Sequence, residues 1–372
     1  MRIKIAYDPQ IFSFQIYGGV SRYICEIASK ISTSGAADVK IVAPFFVCKY
    51  LDRLDRNLVV GFKAPNLGPL KLFFRFCSMA FGHIYLLLLK PSIIHETYFF
   101  PYALGSKKAK RVLTVHDMIH EKFASSNFLW DKASKYKLLA VHRADHIICI
   151  SEATKIDLMD LFGVDSKKIS VIYHGYSLGP KSIRGLSIDL KLPSRYLLYV
   201  GHRGGYKNFK RFLEAYVLSN AINQDFDIVC FGGEDLGVEE ADLWIELGIS
   251  PKKITHLSGG DEVLFHLYQN AGAFIFPSLY EGFGLPPLEA MSNDCVVICS
   301  NAASIPEVVG DAGEYFDPND VEDIKDAMER VLLQPERCEE LKVLGRRRIK
   351  QFSWERCASE TMNLYEKLVS NT

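Results

Sequence analysis

The fold is decided by one stretch, Pro277-Ser278-Leu279-Tyr280-Glu281-Gly282-Phe283-Gly284-Leu285-Pro286-Pro287-Leu288-Glu289-Ala290-Met291. The apolar run 273–276 just before it predicts a short buried strand. Pro286 and Pro287 suit the first turn of a helix, where backbone N–H groups lack partners in any case. Between strand and helix, Gly282 and Gly284 allow the backbone to come close to a ligand. The stretch therefore predicts a strand, a ligand-binding turn and a helix start.

Two carboxylates bracket this turn, Glu281 and Glu289. We expect Glu281 in the loop at the carboxyl end of the strand, where open α/β sheets bind ligands. We expect Glu289 in the first turn of the helix, beside N–H groups that favour negative charge, where it can accept two hydrogen bonds from a diol such as a ribose. Two isolated acids would more often be a helix-dipole acid and a solvated loop acid, but the surrounding residues favour ligand binding.

The fifteen residues resemble the E-x7-E segment of the retaining glycosyltransferases of family 4. The pair of glutamates alone is a weak pattern, but the whole stretch is specific and the resemblance extends over most of the chain. It implies an α/β fold of the GT-B type, with two Rossmann-like domains facing across a deep cleft. It also implies that Glu289 holds the nucleotide ribose and that Glu281, with Phe283, Gly284 and Leu285, holds the donor sugar.

Composition limits the class of protein. The chain has 372 residues, enough for two ordinary domains, and 48% of them are hydrophobic. Lys plus Arg equal Asp plus Glu at 44 each, so no overall field attracts nucleic acid. The nine cysteines are odd in number and several lie in apolar strand-like runs, which favours a reducing compartment over a disulfide framework. The sequence enters a strand at Ile3, so we expect no signal peptide.

Apolar strands alternate with longer helical patterns, which predicts βα units and parallel sheets. In the first half, five strands are predicted at 3–7, 40–44, 92–95, 111–115 and 146–150. The resemblance implies an N-terminal acceptor domain over 1–178, joined by a final helix at 354–372. A segment without periodicity at 179–192 is expected to be the linker, and a nucleotide-sugar-binding domain is expected over 193–353.

Two glycine-containing loops precede helices and are candidate phosphate sites. Gly18 and Gly19 precede a helical pattern, whose N-terminus offers free N–H groups. In the second half, Gly201 to Phe209 carries Arg203 and Lys207, which supply a bidentate fork and a mobile point charge. By itself, a Gly-Gly pair is more often part of an ordinary loop. A basic string such as 201–209 is more often a solvent-exposed loop without a ligand. The resemblance assigns both loops to the donor diphosphate, with Arg203 and Lys207 bound to the departing group.

His116 follows the fourth predicted strand, at the expected ligand edge of the first sheet. A lone histidine there is as often a packed or capping side chain. The resemblance implies that His116 contacts the donor sugar and shapes the reaction centre. Asp117 and His120 are secondary candidates for the site, and His120 is a candidate for contact with the acceptor only.

No metal or other cofactor is expected. Asp225-Phe226-Asp227 has the D-x-D form of a metal site, but it begins a strand and so lies at the wrong edge of the sheet. No His or Cys cluster has ligand spacing. A G-x-G-x-x-G string is also absent, which argues against a dinucleotide-dependent dehydrogenase. The resemblance implies that Arg203, Lys207 and the Gly18–Gly19 amides stabilise the leaving diphosphate in place of a metal.

Three other functions compete with a retaining glycosyltransferase. A sugar-nucleotide epimerase shares the two-domain architecture, but the E-x7-E context argues against it. A non-catalytic partner subunit would have a degenerate site, whereas all the expected residues are present here. A dehydrogenase is weaker still, because the dinucleotide fingerprint is missing.

The substrate is defined only by class. The basic loop and the His-Asp string look most like the branch that moves mannose, rhamnose or related sugars in bacterial surface polysaccharide assembly. This resemblance implies a GDP-, dTDP- or UDP-type donor and a glycan or lipid-linked glycan acceptor. The uncharged run 76–89, fourteen residues long, is too short to span a bilayer. We favour a buried helix for it, with a helix touching a membrane surface as the alternative, and we expect a cytoplasmic protein, peripheral on the inner membrane in that case.

Overall fold

The chain forms two compact units. The computed structural model describes residues 2–65, 70–123, 132–176, 190–234 and 237–370. Unit 1 comprises Met1–Gly175 and Ser353–Thr372, and unit 2 comprises Tyr176–Phe352. Most of the predicted linker at 179–192 lies outside the described residues.

Unit 1 is built on a parallel sheet of seven strands in the order β3-β2-β1-β4-β5-β6-β7. The strands are β1 (Ile3–Tyr7), β2 (Ala37–Phe46), β3 (Val59–Lys63), β4 (Ile93–Glu96), β5 (Lys110–Val115), β6 (His146–Cys149) and β7 (Ile169–Val171). The five predicted strands are confirmed within a few residues. The prediction missed the edge strand β3, because its side chains are only partly buried and a glycine, Gly61, interrupts its apolar pattern.

Helices connect these strands. They are α1 (Gly19–Thr33), α2 (Lys71–Leu89), α3 (Ile119–Phe123), α4 (Lys132–Arg143) and α5 (Glu152–Phe162). The start and end of α5 show how local sequence sets a helix. The Ser151 hydroxyl accepts a hydrogen bond from the Thr154 N–H at 3.0 Å, and Gly163 ends the helix in the left-handed conformation with φ 64°.

Unit 2 is built on a parallel sheet of six strands in the order β10-β9-β8-β11-β12-β13. The strands are β8 (Tyr196–Val200), β9 (Asp227–Phe231), β10 (Ile254–Leu257), β11 (Ala273–Phe276), β12 (Val297–Ser300) and β13 (Gly313–Phe316). The helices are α6 (Phe209–Leu218), α7 (Asn220–Asp225), α8 (Val238–Glu246), α9 (Asp261–Asn270), α10 (Leu285–Ser292), α11 (Ile305–Val309), α12 (Val321–Leu332) and α13 (Pro335–Arg348). From β8 the chain builds outward to β10 and then returns to β11, so the strand order reverses between β8 and β11. Ligands of open α/β sheets bind at such a reversal.

The last helix, α14 (Trp354–Ser370), belongs to unit 1 and packs against α1. Its buried face includes Trp354 and Tyr365. The Tyr365 hydroxyl lies 2.5 Å from Nδ1 of the buried His95 on β4. At the start of the helix, a Cβ on Gly175 would lie only 2.2 Å from the Trp354 backbone nitrogen, so a glycine is needed where the two segments cross.

Helix α2 corrects one prediction. The run 76–89 was expected to be a buried helix, but within α2 only Ser78, Met79, Gly82 and Leu86 are buried. The helix also begins earlier than the uncharged run, at Lys71, and is 19 residues long. With a mean hydropathy of 1.7, it is the one helix in the described ranges that is long and apolar enough to cross a membrane.

Candidate active site

The loop after β11 is fixed by two serines, one at the end of the neighbouring strand β12 and one just before α11. The Ser300 hydroxyl, at the end of β12, donates to the Ser278 carbonyl at 2.6 Å. The buried Ser304 hydroxyl lies 2.8 Å from the Glu281 carbonyl oxygen and 3.0 Å from that of Phe283, so its one proton is shared between the two acceptors. These bonds set the path of the loop that carries Glu281. The sequence analysis missed both serines, since a serine in a small-residue loop carries no distinctive local signal.

The loop ends at Gly284, the residue before α10. Gly284 has φ 108°, a conformation that side-chain-bearing residues rarely adopt, so the turn requires a glycine. Leu285 is the first helical residue and Pro286 the second, as the sequence predicted. The prediction for Glu289 was wrong in one respect. It is the fifth residue of α10 and lies in the second turn, because the helix begins at Leu285 directly after the glycine.

Lys207 and Glu281 meet at the strand-order reversal of unit 2. Lys207 lies in a short turn between β8 and α6, and its Nζ is 2.7 Å from Oε1 of Glu281. Their side chains are only 17% and 11% exposed. The pairing follows from topology, because β8 and β11 are adjacent and parallel, so the loops after them lie side by side. Phe276 adds an aromatic ring 5.7 Å from the Lys207 ammonium.

Asn208 holds the Lys207 turn against the sheet. It adopts the left-handed conformation with φ 58° and is buried. Its Nδ2 donates to the carbonyls of Pro277 (3.0 Å) and Pro318 (2.7 Å), the loops after β11 and β13. Its Oδ1 accepts from Arg211 at 3.1 Å. Asn208 is thus a positioning residue that the sequence analysis overlooked.

Asn208→Ala is expected to lower the free energy of unfolding of unit 2 by about 2–4 kcal/mol. Two buried carbonyls lose their donor, at about 1–3 kcal/mol each before relaxation, and alanine disfavours a positive φ by about 1–2 kcal/mol. Urea unfolding followed by circular dichroism measures the loss. Asn208→Gly, which tolerates the backbone conformation, should restore only the conformational part. The exposed Asn220 provides the control, and equal losses for Asn220→Ala and Asn208→Ala would contradict the assignment.

Arg203 interacts with the loop after β9, the strand that flanks β8 on the side opposite to β11. Its Nε lies 2.5 Å from Oε1 of Glu240 on α8, and its Nη1 donates to the Gly232 carbonyl at 3.1 Å. Its Nη2 donates to the Glu234 carbonyl at 2.5 Å. The guanidinium is nearly buried and holds the loop after β9. Its charge is compensated by Glu240, so binding a diphosphate would require it to exchange this partner.

In unit 1, His116 follows β5 and packs against aromatic rings. Its ring centroid is 5.2 Å from that of Tyr23 and 5.5 Å from that of His174. Burial, aided by the charge of Lys137, lowers the pKa of His116 to about 3, so the imidazole is neutral at pH 7. A neutral imidazole can both donate and accept a hydrogen bond.

Asp117 and His120 have different surroundings from His116. The Asp117 carboxylate accepts from the Ile119 N–H at 3.1 Å, and its carbonyl accepts from Lys137 at 3.1 Å. Asp117 therefore serves the start of α3. His120 lies exposed on α3.

The two glycines at the start of α1 differ in their roles. Gly18 precedes the helix and Gly19 is its first residue. The Gln15 side chain folds over this turn, and its Oε1 accepts from the Ser21 N–H at 3.0 Å. A Cβ on Gly18 would lie 2.3 Å from Gln15 Nε2, whereas a Cβ on Gly19 would meet nothing within 4 Å. Gly18 makes room for Gln15, which takes one of the N–H groups considered for phosphate binding.

Among the described residues, no group of three or more His, Cys, Asp or Glu side chains is placed to hold a metal ion. Asp227 is the first residue of β9, as predicted, and pairs with Lys253 at 3.0 Å. Asp225 pairs with Arg195 at 2.8 Å. Both carboxylates of the D-x-D string are therefore engaged in ion pairs before or at the start of their strand.

Comparison with known proteins points to one family. Residues 187–348 match the model of glycosyl transferases group 1, and residues 17–179 match that of glycosyltransferase family 4. The chain is 30% identical to an O-antigen chain mannosyltransferase B from Escherichia coli, over 99% of this chain and 100% of that one.

Solved structures share the fold. A sucrose-phosphate synthase from Thermosynechococcus elongatus matches with a TM-score of 0.76 and 20% identity over 100% of both chains. Anabaena HepE, solved with UDP and glucose, matches with a TM-score of 0.72 and 16% identity over 98% of this chain and 100% of that one. The predicted fold class, two Rossmann-like domains of the GT-B type, is confirmed. The chain belongs to the family 4, group 1 glycosyltransferases.

Proposed function

We propose that the chain moves a mannose-like hexose or deoxyhexose from a nucleotide diphosphate sugar to a glycan acceptor in O-antigen synthesis, with retention of anomeric configuration and without a metal. The observation that carries the proposal is the Lys207–Glu281 pair at the strand-order reversal of unit 2, beside the helix that bears Glu289. The name of the Escherichia coli relative supports the sugar and the pathway.

The chemistry of this pair suits glycosyl transfer. Breaking the anomeric bond leaves positive charge on the sugar and additional negative charge on the diphosphate. Lys207 would supply a positive charge to the diphosphate from a largely water-excluded position, where electrostatic stabilisation is strongest. Once Lys207 turns to the phosphate, Glu281 would be free to accept hydrogen bonds from sugar hydroxyls. We assign Glu281 to binding and charge stabilisation, and not to a covalent intermediate.

The other predicted residues keep the roles that the resemblance gave them, as proposals. Glu289 would accept hydrogen bonds from the ribose, and the backbone of Phe283, Gly284 and Leu285 would contact the donor sugar. The neutral imidazole of His116 would bond a sugar hydroxyl without adding charge. Arg203, after leaving Glu240, and the Gly18–Gly19 amides would contact the diphosphate.

We also propose that the acceptor is a lipid-linked glycan and that the protein works at the inner face of the plasma membrane. The donor base stays open among GDP, dTDP and UDP. The solved structure of Anabaena HepE contains UDP, but at 16% identity it shows only that this fold can hold a nucleoside diphosphate.

Isothermal titration calorimetry with GDP, UDP and dTDP, without metal, tests the donor site. We expect one nucleotide to bind tightly to the wild type and at least tenfold more weakly to Glu289→Ala and to Lys207→Ala. Product analysis by NMR with the matching sugar nucleotide then checks for the retained anomeric configuration. A folded protein that binds none of the three nucleotides would point instead to a non-catalytic partner subunit. Turnover of the donor without an acceptor would indicate an epimerase.

A further inference from the structure

Helix α2 presents an apolar surface to solvent along its whole length. The large exposed side chains are Leu72, Phe73, Phe76, Phe81, Ile84, Leu87 and Leu88, with Leu72, Phe76 and Leu88 exposed by more than 70%. Their helical spacing places them on one half of the helix, a face about 24 Å long that carries no charged side chain. We call these seven residues the α2 apolar face. Surfaces of this size on soluble proteins mark sites of interaction.

The opposite half of α2 is firmly part of unit 1. The Ser78 hydroxyl accepts from the Phe45 N–H of β2 at 3.3 Å, and a Cβ on Gly82 would lie 2.7 Å from Pro9. The Phe74 ring packs on Phe45 at 5.4 Å. A helix that spanned a bilayer would have to leave this packing. The apolar face is therefore suited to contact an apolar medium from one side only.

The edge strand of unit 1 extends the same surface. Phe62 on β3 is 78% exposed and is the register partner of Phe45, so the two side chains leave the sheet on the same side. The cation of Arg75 lies 4.7 Å from the ring of Phe14, which is itself 36% exposed. Aromatic rings and a cation thus border the apolar face, as is common where a protein meets the headgroup region of a membrane.

The segment that contains α2 is mostly basic, although Lys63 on β3 is paired with Asp52, which lies just outside that segment. From residue 56 to residue 116 the sequence contains nine Lys and Arg and a single acid, Glu96, although the chain as a whole has equal numbers of both signs. Glu96 is buried and pairs with Arg111 and Arg143. Exposed lysines include Lys71 and Lys90 at the two ends of α2 and Lys107 and Lys108. The last two follow Gly105, whose N–H donates to His83 of α2 at 3.0 Å.

We propose that α2 lies in the plane of an anionic phospholipid membrane, with its apolar face among the acyl chains and the flanking lysines at the headgroups. The basic surroundings favour this occupant over a second copy of the chain, because two copies meeting at this face would bring like charges together. The proposal deepens the proposed function, since a lipid-linked acceptor would lie at the same surface.

Vesicle flotation at two ionic strengths tests the membrane surface. The wild type should bind vesicles of phosphatidylcholine with phosphatidylglycerol, and less strongly at high salt. Phe76→Ser with Leu88→Ser should weaken binding about a hundredfold, because each buried side chain contributes about tenfold. The exposed pair Leu218→Ser with Ile245→Ser in unit 2 is the matched control and should bind like the wild type.

A second variant set isolates the charge. Replacing Lys71, Lys107 and Lys108 by Gln should weaken binding to anionic vesicles about fivefold per lysine, with little change on pure phosphatidylcholine. Absence of vesicle binding, or equal binding by Phe76→Ser/Leu88→Ser, would overturn the proposal. So would a wild-type dimer in sedimentation that this double variant converts to monomers, because the occupant would then be a second copy.

Activity on a water-soluble acceptor separates this proposal from the proposed function. Phe76→Ser/Leu88→Ser should keep wild-type transfer to such an acceptor while losing vesicle binding. A protein that binds vesicles and transfers no sugar would refute the function and leave the membrane surface standing. A protein that transfers sugar and ignores vesicles would refute the surface alone.

Discussion

Lys207→Ala is expected to lower kcat/KM for sugar transfer by about 10²–10³-fold. Removal of one preorganised charge donor at a transition state typically costs this much in rate. Lys207 is the cation held against Glu281 at the strand-order reversal of unit 2, largely out of water. Steady-state kinetics with varied donor concentration measure the effect. Lys210→Ala provides the matched control, since Lys210 is three residues further along and its side chain is 63% exposed.

The Glu281→Gln variant separates the proposed role of Lys207, which is to bind the diphosphate, from that of Glu281, which is to bind the donor sugar. If Lys207 contacts the diphosphate, this variant should bind the nucleoside diphosphate at least as tightly as the wild type, because the lysine loses its competing carboxylate. Sugar transfer should still fall, because the donor sugar loses a carboxylate partner. Weaker nucleotide binding by Glu281→Gln than by Lys207→Ala, or wild-type kinetics in Lys207→Ala, would refute the assignment.

Lys137→Ala is expected to lower the free energy of unfolding of unit 1 by about 3–5 kcal/mol. Lys137 Nζ lies 2.6 Å from Oε2 of Glu121, and the two side chains are 7% and 0% exposed. Ser134 donates a further hydrogen bond to Glu121 at 2.9 Å. Removing the ammonium leaves an uncompensated carboxylate in a buried site, which is the costly way to break such a pair. Urea unfolding of the full chain measures the loss.

The matched variants make this prediction specific. Lys135→Ala changes an exposed lysine of the same helix and should cost less than about 0.5 kcal/mol. Lys137→Met with Glu121→Leu removes both charges and should recover most of the stability. The pKa of His116, held low by burial and by Lys137, should rise in Lys137→Ala, as followed by NMR. A loss below 1 kcal/mol, or an unchanged His116 titration, would contradict this account.

Local sequence was sufficient to predict a strand, turn or helix end wherever the residues that determine it lie within a few positions of one another. The strand at 273–276, the turn at Gly284 and the helix start at Leu285 follow from an apolar run, a glycine and two prolines. The bounds of α5 follow from Ser151 and Gly163 in the same way. The edge strand β3 was not predicted, because its side chains are only partly buried and its own apolar pattern is weak. It forms a strand because it pairs with β2.

The amino-acid sequence alone identified the family, the alternation of strands and helices and most of the candidate site residues. The partners of those residues could be read only from the three-dimensional fold. Lys207 and Glu281 are 74 residues apart and meet because β8 and β11 are adjacent, while Arg203 binds Glu240 because β9 flanks β8 on the other side. The exposure of α2 was likewise undetermined, because the run 76–89 within it carries no charged residue on any side. Which half of that helix is covered depends on β2, a strand that the sequence of the helix does not specify.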